Sequence, residues 1–565
     1  MPKIKKSTLW LLAFCLVIIF AAILRFYKLG QIPVSLYWDE AAMLVDAKTL
    51  SQTGKDMHNL PFFQTMFLSY GDYKLPIYIW LATFSVKLFG VSNLALRLPS
   101  ALAGLGSVAI AGVLAQNLFE TRHLLLKNNK DSSEKSLKLL SLISMIVMAI
   151  SPWSLTFSRT GFEGHLAQFF LSVSVLFLVR KKTPQNVLFS IIFGSLATYT
   201  YFSVRYVWPV LSLFSLVFIH KQNWKKDILL TIASLLLFSL SLIPMTKSPF
   251  YQDSNRFRLS TTSILNKNDW PVVVNQYRQD AGNHFYHKFI FNKYTLIGKE
   301  LIENYSDHLN LSYIFIYGDT NLRHGTSQHG LFLWPFILPF LAGLYFLAKE
   351  RLREFLFIIV WWLIALLPAS VPDTTPHALR SLNALMPLCL IISFGFYRLA
   401  QDFLSKKRLI ILAGGLIWIF ITTIFSLSYL SFYYRIYPQL SASSWQNGYD
   451  KLAKQLLSKN DQVRTVWVEP FDNRFYLWLL IQDEFSAVEI QQIVGQQHMP
   501  EKVSNFDFKG FDWPKLNTLD HKIIVAGKKA NLEQKINEYN LQPNWLEESK
   551  NQYQQEPFWI LGYGN

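Results

Sequence analysis

The chain has 565 residues, of which 51% are hydrophobic and only 16% charged, whereas a soluble globular chain carries about a quarter charged. Its net charge is +17, but the lysines and arginines fall in short tracts between apolar runs, without the aromatic interleaving that stacks bases; this argues against nucleic acid and fits the cytoplasmic loops of a membrane protein. The two cysteines, Cys15 and Cys389, both lie inside apolar runs, which excludes a disulfide framework or a cysteine zinc site.

The N-terminus, "MPKIKKSTLWLLAFCLVIIFAAILRF", is basic and then apolar. Its apolar run is long for a signal peptide and no small-x-small cleavage site follows, so it reads as an uncleaved first transmembrane helix. Hydropathy gives eleven spanning candidates, near residues 8–25, 98–118, 139–157, 164–180, 186–202, 206–220, 228–245, 331–348, 355–371, 380–398 and 409–430. Basic tracts occupy every second loop: Lys3/Lys5/Lys6, Arg122/Lys127/Lys130/Lys135/Lys138, Arg180/Lys181/Lys182, Lys221/Lys225/Lys226, Lys349/Arg351/Arg353 and Arg398/Lys406/Lys407/Arg408. The positive-inside rule then puts the N-terminus in the cytoplasm and the C-terminus outside. The run "KLPIYIWLATFSVKLFG", Lys74 to Gly90, would break this parity as a twelfth span. It is expected at the outer interface, with a short true span as the alternative.

Three outer regions result: about 26–97, about 246–330, and the tail from 431. In the tail, "TVWVE" and "KIIVAG" read as strands, and the amphipathic "YDKLAKQLLSKN" and "NLEQKINEYN" as helices. The expected fold class is an α-helical polytopic membrane protein with a small α/β extracytoplasmic domain. The expected domains are 1–430 and 431–565.

The apolar cores of the spans hold almost no acids, which disfavours a transport path through the bilayer. The acids gather outside instead. "LYWDEAAMLVDA" places Asp39 and Glu40 just past the first span. Asp39 reads either as the N-cap of a helix whose dipole favours Glu40, or as a catalytic carboxylate; the two are compatible. "SPWSLTFSRTGFEGHLA" brings Arg159, Glu163 and His165 to the next outer turn, where Glu163 either pairs with Arg159 or supplies a second acid. Lys74 in "GDYKLPIYIW" is a snorkelling lysine or a phosphate ligand at a helix N-terminus. Further outer cations and polar groups are Arg256 and Arg258 in "SNRFRLS", Asp319, Asn321, Arg323 and His324 in "YGDTNLRHG", and Asp373, His377 and Arg380 in "PDTTPHALRSLNALMP".

Acids surrounded by cations at an outer leaflet suit a lipid-phosphate headgroup. The consistent reaction is glycosyl transfer from a lipid-phosphate sugar, with a carboxylate deprotonating an acceptor hydroxyl and cations holding the departing phosphate. No Rossmann or P-loop fingerprint is present, as expected where no nucleotide is available.

"WDEAAMLVDAKTL", "KLPIYIWLATFSVKLFGVSNLALRLPSALAG" and "SPWSLTFSRTGFEGHLA" resemble membrane glycosyltransferases of the GT-C fold, in particular the bacterial branch of the protein O-mannosyltransferase and lipid A aminoarabinose transferase superfamily. The resemblance covers about residues 8–430, with its motifs densest from 36 to 170. It implies Asp39 as the key catalytic acid with Glu40 beside it, and Glu163 at a second acidic position where many relatives carry Asp. It implies Lys74 facing the donor phosphate, although this chain reads "KLP" where those enzymes have "KP" and a further proline. Arg256 or Arg258 and Arg380 are the further phosphate candidates. Arg159, His165, Asp319, Arg323, His324 and His377 are candidates for substrate binding. The expected partners are a polyprenyl-phosphate-linked sugar, an acceptor and the bilayer. No cofactor or catalytic metal is implied, with a divalent-metal variant as the alternative. A lipid-linked sugar flippase and a noncatalytic envelope-glycan scaffold are the competing functions.

Overall fold

The computed structural model describes residues 6–70, 72–120, 130–218, 223–266, 269–405, 409–459, 463–469, 472–495, 499–519 and 522–564. Lys3, Lys5, Arg122, Lys127, Lys221, Lys406, Lys407 and Arg408 of the basic tracts lie outside these. The chain divides into two compact units. One comprises 1–27, 100–158 and 163–430. The other comprises 28–99, 159–162 and 431–565.

The first unit is helical. Every one of the eleven expected segments contains a helix, from Lys6–Phe26 to Leu409–Ser431. Among the described residues, six helices are long and apolar enough to cross a membrane by length and composition. The number is seven if Glu134–Ile150 and Pro152–Ser158, bent by 61° at their junction, form one span. Others are shorter than the sequence suggests. Helix Pro184–Thr198 has 15 residues: Thr183 caps its start by accepting the Asn186 N–H and Pro184 fills its first turn, and it ends four residues before the expected segment does. A basic residue sits deep among these helices: fully buried Arg25 donates to the carbonyls of Ala21, Met148 and Ala149 and to Ser154 Oγ. Where helices Ile337–Glu350 and Leu385–Ser405 cross, a Cβ on Gly395 would strike the Pro339 carbonyl, so only glycine permits that approach. The outer region 246–330 also belongs to this unit and folds into further helices, among them Tyr251–Thr261, Trp270–Asp280 and Lys293–Leu309.

The second unit mixes helix and sheet. Strands β1 (Phe67–Ser69) and β2 (Asp72–Lys74) form an antiparallel hairpin in register Phe67↔Lys74. Helix Trp38–Thr53 precedes them and helix Pro76–Phe89, of 14 residues, follows. The tail contributes β3 (Thr465–Val468), β4 (Lys502–Val503), β5 (Phe506–Asp507), β6 (Ile523–Lys528), β7 (Trp545–Ser549) and β8 (Phe558–Tyr563). Their order is β4-β5-β3-β6-β8-β7, with β3 parallel to both β5 and β6. The β6 run is buried at five successive positions, as a central strand covered on both faces must be. Helix Tyr449–Ser458 buries Tyr449, Leu452, Ala453 and Leu456, one stripe at helical spacing. The two tail strands and two tail helices expected from the sequence are therefore present, within a larger sheet.

Candidate active site

Helix Trp38–Thr53 begins at an extended Tyr37, so Tyr37 and not Asp39 is the N-cap. This corrects the capping expectation, and the reason is local. Glu40 is the third helical residue, and its Oε2 reaches back to accept the Tyr37 N–H at 3.3 Å, the acidic half of a capping box. Asp39 is thereby released from capping and stands one position into the helix.

Glu40 is 0% exposed. Arg97, also 0% exposed, grips it in a two-pronged pair, Nε to Oε1 at 2.9 Å and Nη2 to Oε2 at 2.8 Å. The Gly161 N–H adds a bond of 2.5 Å to Oε1. Arg97 also donates to the carbonyls of Leu29, Pro33 and Ser35. A buried pair of this kind is stable only when its remaining donors are satisfied, and these carbonyls satisfy them. A Cβ at Gly161 would come within 3.1 Å of Glu40 and crowd the held carboxylate. Glu40 is a positioning group, locking the start of the helix to the segment 29–35 and to 161.

Asp39 points elsewhere. Its Oδ1 accepts from Lys74 Nζ at 2.5 Å and from the Tyr70 hydroxyl. Lys74 ends β2, two residues before Pro76 opens the next helix, so the hairpin delivers it to Asp39. Asp72 lies 3.9 Å from the same ammonium. Tyr70 takes φ +33° at the hairpin tip, a conformation unusual for a bulky residue. Burial, and then the Asp39 carboxylate, push its phenol well above the ordinary value, which keeps it a proton donor. Arg474, from the tail, lies over the Trp38 ring at 4.3 Å and the Tyr70 ring at 5.1 Å. Arg159 donates to the Ile32 carbonyl at 3.2 Å and lies over Tyr434 at 5.1 Å.

The first unit holds the other candidates. Glu163 is buried and opens helix Glu163–Val179. His165, two residues on, is fully buried among packed helices; the position of a Cβ on Gly104 would fall 3.1 Å from its ring and 2.9 Å from Arg25. Asp319, His324 and His377 converge, each offering a metal-ligating atom within 4.8 Å of the others. Asp319 accepts from His324 Nδ1 at 3.1 Å and from the N–H groups of Ala378 and Asn321. Burial pushes its carboxyl up, but His324 and these two N–H groups outweigh that and hold it below the ordinary value. Burial, then the surrounding His324, Arg380, His308 and Arg323, drive the His377 imidazole well below its ordinary value. Arg380 donates to Thr374 and feels Arg258 nearby. Arg323 is held by Asn321 Oδ1 at 3.0 Å. Arg256 departs from this group: its side chain is 79% exposed and faces Asp253 on its own helix at 4.0 Å. Two residues along a helix is slightly more than a half-turn, so Arg256 and Arg258 point apart, and of the two Arg258 faces the cluster.

No protein-family model and no curated protein matches the chain. Solved structures do. The crystal structure of ArnT from Cupriavidus metallidurans bound to undecaprenyl phosphate matches over 97% of this chain and 97% of its own, with a TM-score of 0.53 and 12% identity. The apo state of the same protein matches over 98% of each chain, at TM-score 0.54 and 12% identity. The chain has the GT-C fold of ArnT.

Beside ArnT the chain is divergent enough that its site is carried by its own residues. Three of them escape a sequence reading. Arg97 sits in "NLALRLPS", 57 positions from Glu40. A signal for it exists, because an arginine at the head of an apolar helix requires an acid partner, but Glu40 reads equally as an acid favoured by the helix dipole beside Asp39. Tyr70 carries no such signal; only the hairpin brings it to Asp39. Arg474 lies in a tail that resembles nothing specific, and only the fold brings it to Trp38.

Proposed function

We propose that this chain is an integral-membrane glycosyltransferase that moves a sugar from a polyprenyl-phosphate donor to an acceptor on the outer face of the membrane, with inversion. The observation that carries the reading is the Asp39–Lys74 pair, a carboxylate and an ammonium 2.5 Å apart with side chains 19% and 10% exposed. The likeness to ArnT, in one case bound to undecaprenyl phosphate, supports a polyprenyl-phosphate donor.

In this reading Asp39 takes the proton of an acceptor hydroxyl. The acceptor oxygen forms its bond to the anomeric carbon as the bond from that carbon to the phosphate oxygen breaks, and polyprenyl phosphate departs as an anion. The ammonium of Lys74 carries three N–H donors, so it can hold Asp39 and a phosphate oxygen together, fixing base and leaving group in one frame. Glu40 and Arg97 position the helix start. No metal takes part in this route.

The experiment is transfer from labelled polyprenyl-phosphate sugars in membranes. Asp39→Asn should lower transfer by about 10²–10⁴-fold with donor binding largely kept. Lys74→Ala should weaken donor binding about tenfold or more. Full activity in Asp39→Asn would remove the base, and unchanged donor affinity in Lys74→Ala would remove the phosphate role.

A further inference from the structure

The reaction above leaves unused a second polar cluster on the helix that carries Asp39. That helix ends at Gly54, which adopts φ +73°. The chain then turns back, with the Phe62 N–H donating to the Gly54 carbonyl at 3.0 Å. Asp56 organises the turn: its Oδ1 accepts from the N–H groups of His58 and Leu60 at 2.9 and 2.8 Å, and its Oδ2 from Gln64 Nε2 at 2.7 Å. Asp46 projects toward it from the helix, two turns after Asp39 and so on the same face. Asp46 Oδ1 accepts the Met57 N–H at 3.3 Å. Its Oδ2, fully buried, has no hydrogen-bond partner among the described residues. One oxygen of each aspartate and one ring nitrogen of His58 lie within 4.8 Å of one another, and the three residues are 0%, 0% and 3% exposed.

A desolvated carboxylate oxygen without a donor is unfavourable, and a second carboxylate beside it makes it more so. A proton or a cation can relieve it. The imidazole in the same cluster favours a cation, since two carboxylates and one histidine are a donor set suited to zinc or manganese and poorly suited to calcium or magnesium.

We propose that Asp46, Asp56 and His58 form a structural site for a divalent transition-metal ion of the zinc or manganese class. Asp46 Oδ2 and a ring nitrogen of His58 supply ligands, and Asp56 joins them with its carboxylate already oriented by Gln64 and two N–H groups. The ion clamps the turn at 54–64 onto the helix, roughly 10 Å along the axis from Asp39. The clamp extends further, because Gln491 Nε2 donates to the carbonyls of Lys55 and Asp56. The other comparable group, Asp319 with His324 and His377, differs: there the aspartate oxygens already accept three donors.

The test uses the purified full chain, stripped with chelator and titrated with Zn²⁺ or Mn²⁺, following bound metal and thermal melting. The wild type should bind about one ion per chain and melt higher with it. Asp46→Asn and His58→Gln should each weaken binding about tenfold or more, while His324→Gln leaves it unchanged. Without metal, Asp46→Asn should melt above the wild type, because the neutral amide needs neither a proton nor a cation to be buried; a more stable variant that ignores metal has lost the site and not the fold. Should His58→Gln fail to fold, Gln64→Ala takes its place, with weakened binding expected. A wild type that takes up no stoichiometric ion and melts unchanged overturns the proposal, as does Asp46→Asn with wild-type affinity. Either failure leaves sugar transfer by Asp39 untouched, since neither readout depends on it.

Discussion

Adjacent carboxylates at 39 and 40 have opposite surroundings, and the helix start explains why. Neighbours on a helix point about 100° apart. Glu40 turns inward to Arg97 and Gly161, while Asp39 turns to the hairpin and keeps part of its side chain exposed. Their types and their place past the first span were legible in the sequence. Their division of labour was not, because it depends on which side of one helical turn each occupies. The Glu40–Arg97 pair carries a stability prediction. Removing one member of a buried pair leaves the other charged and desolvated, at a cost of about 3–5 kcal/mol. Arg97→Met should therefore lower the melting temperature sharply. Arg97→Met with Glu40→Gln should recover much of the loss, since no charge is then left buried. A double variant as unstable as the single one would mean that Arg97 acts through its bonds to the 29, 33 and 35 carbonyls instead.

At the scale of elements, the loops at 318–330 and 371–381 show what sequence spacing can and cannot show. "GDTNLRHG" and "PHALRSLNALMP" stood out as polar islands, and the fold joins them: the His324 and His377 rings lie 4.4 Å apart. The separation of Arg256 from Arg258 was not legible, since both read as cations of one outer region and the helix Tyr251–Thr261 that turns them apart is seen only in the fold. The exposure of Arg256 needed the helix's packing. The joined loops carry a pH dependence. His377 is held well below its ordinary value of 6.5 by burial and by its cationic neighbours, and His308 is lowered as well, by burial. On acidification the unfolded chain takes up these protons near pH 6.5, whereas the folded chain does not until lower pH. Stability is therefore full above about pH 6.5 and falls as pH drops below it. Asp319, held below the ordinary carboxyl value, loses its contribution at still lower pH, in the same direction. Melting temperature should decline between about pH 7 and 5, and His377→Gln should flatten that decline. An unchanged slope in His377→Gln would move the dependence to another group.

For the whole molecule, the composition of the second unit constrains how the chain crosses the membrane. The unit is assembled from 28–99, 159–162 and 431–565, and a folded unit with a sheet lies on one side of a bilayer. Each excursion from it must therefore cross an even number of times. Between 99 and 159 the helices long and apolar enough to cross, among the described residues, are Asn93–Phe119 and, if taken together, the bent pair Glu134–Ile150 with Pro152–Ser158; an even number is reached when the bent pair counts as one span. Between 162 and 431 length and composition alone give four, Trp224–Thr246, Leu352–Ser370, Leu382–Gln401 and Ala413–Leu440; the hydropathy pattern gives eight. Both are even. Helix Pro76–Phe89 starts and ends inside the unit and is roughly 21 Å long, short of a core of about 30 Å, which favours the interface over a twelfth span. Thiol labelling tests this directly. Cys15 is exposed and Cys389 buried, so the background is Cys15→Ala. In it, Phe63→Cys and Glu533→Cys, both at exposed positions and 470 residues apart in sequence, should react with a membrane-impermeant maleimide on intact cells. Lys349→Cys, in a basic tract assigned to the cytoplasm, should react only after permeabilisation. Labelling of Phe63→Cys and Glu533→Cys from opposite sides would break the even-crossing argument, whereas inversion of all three would reverse the orientation and leave that argument intact.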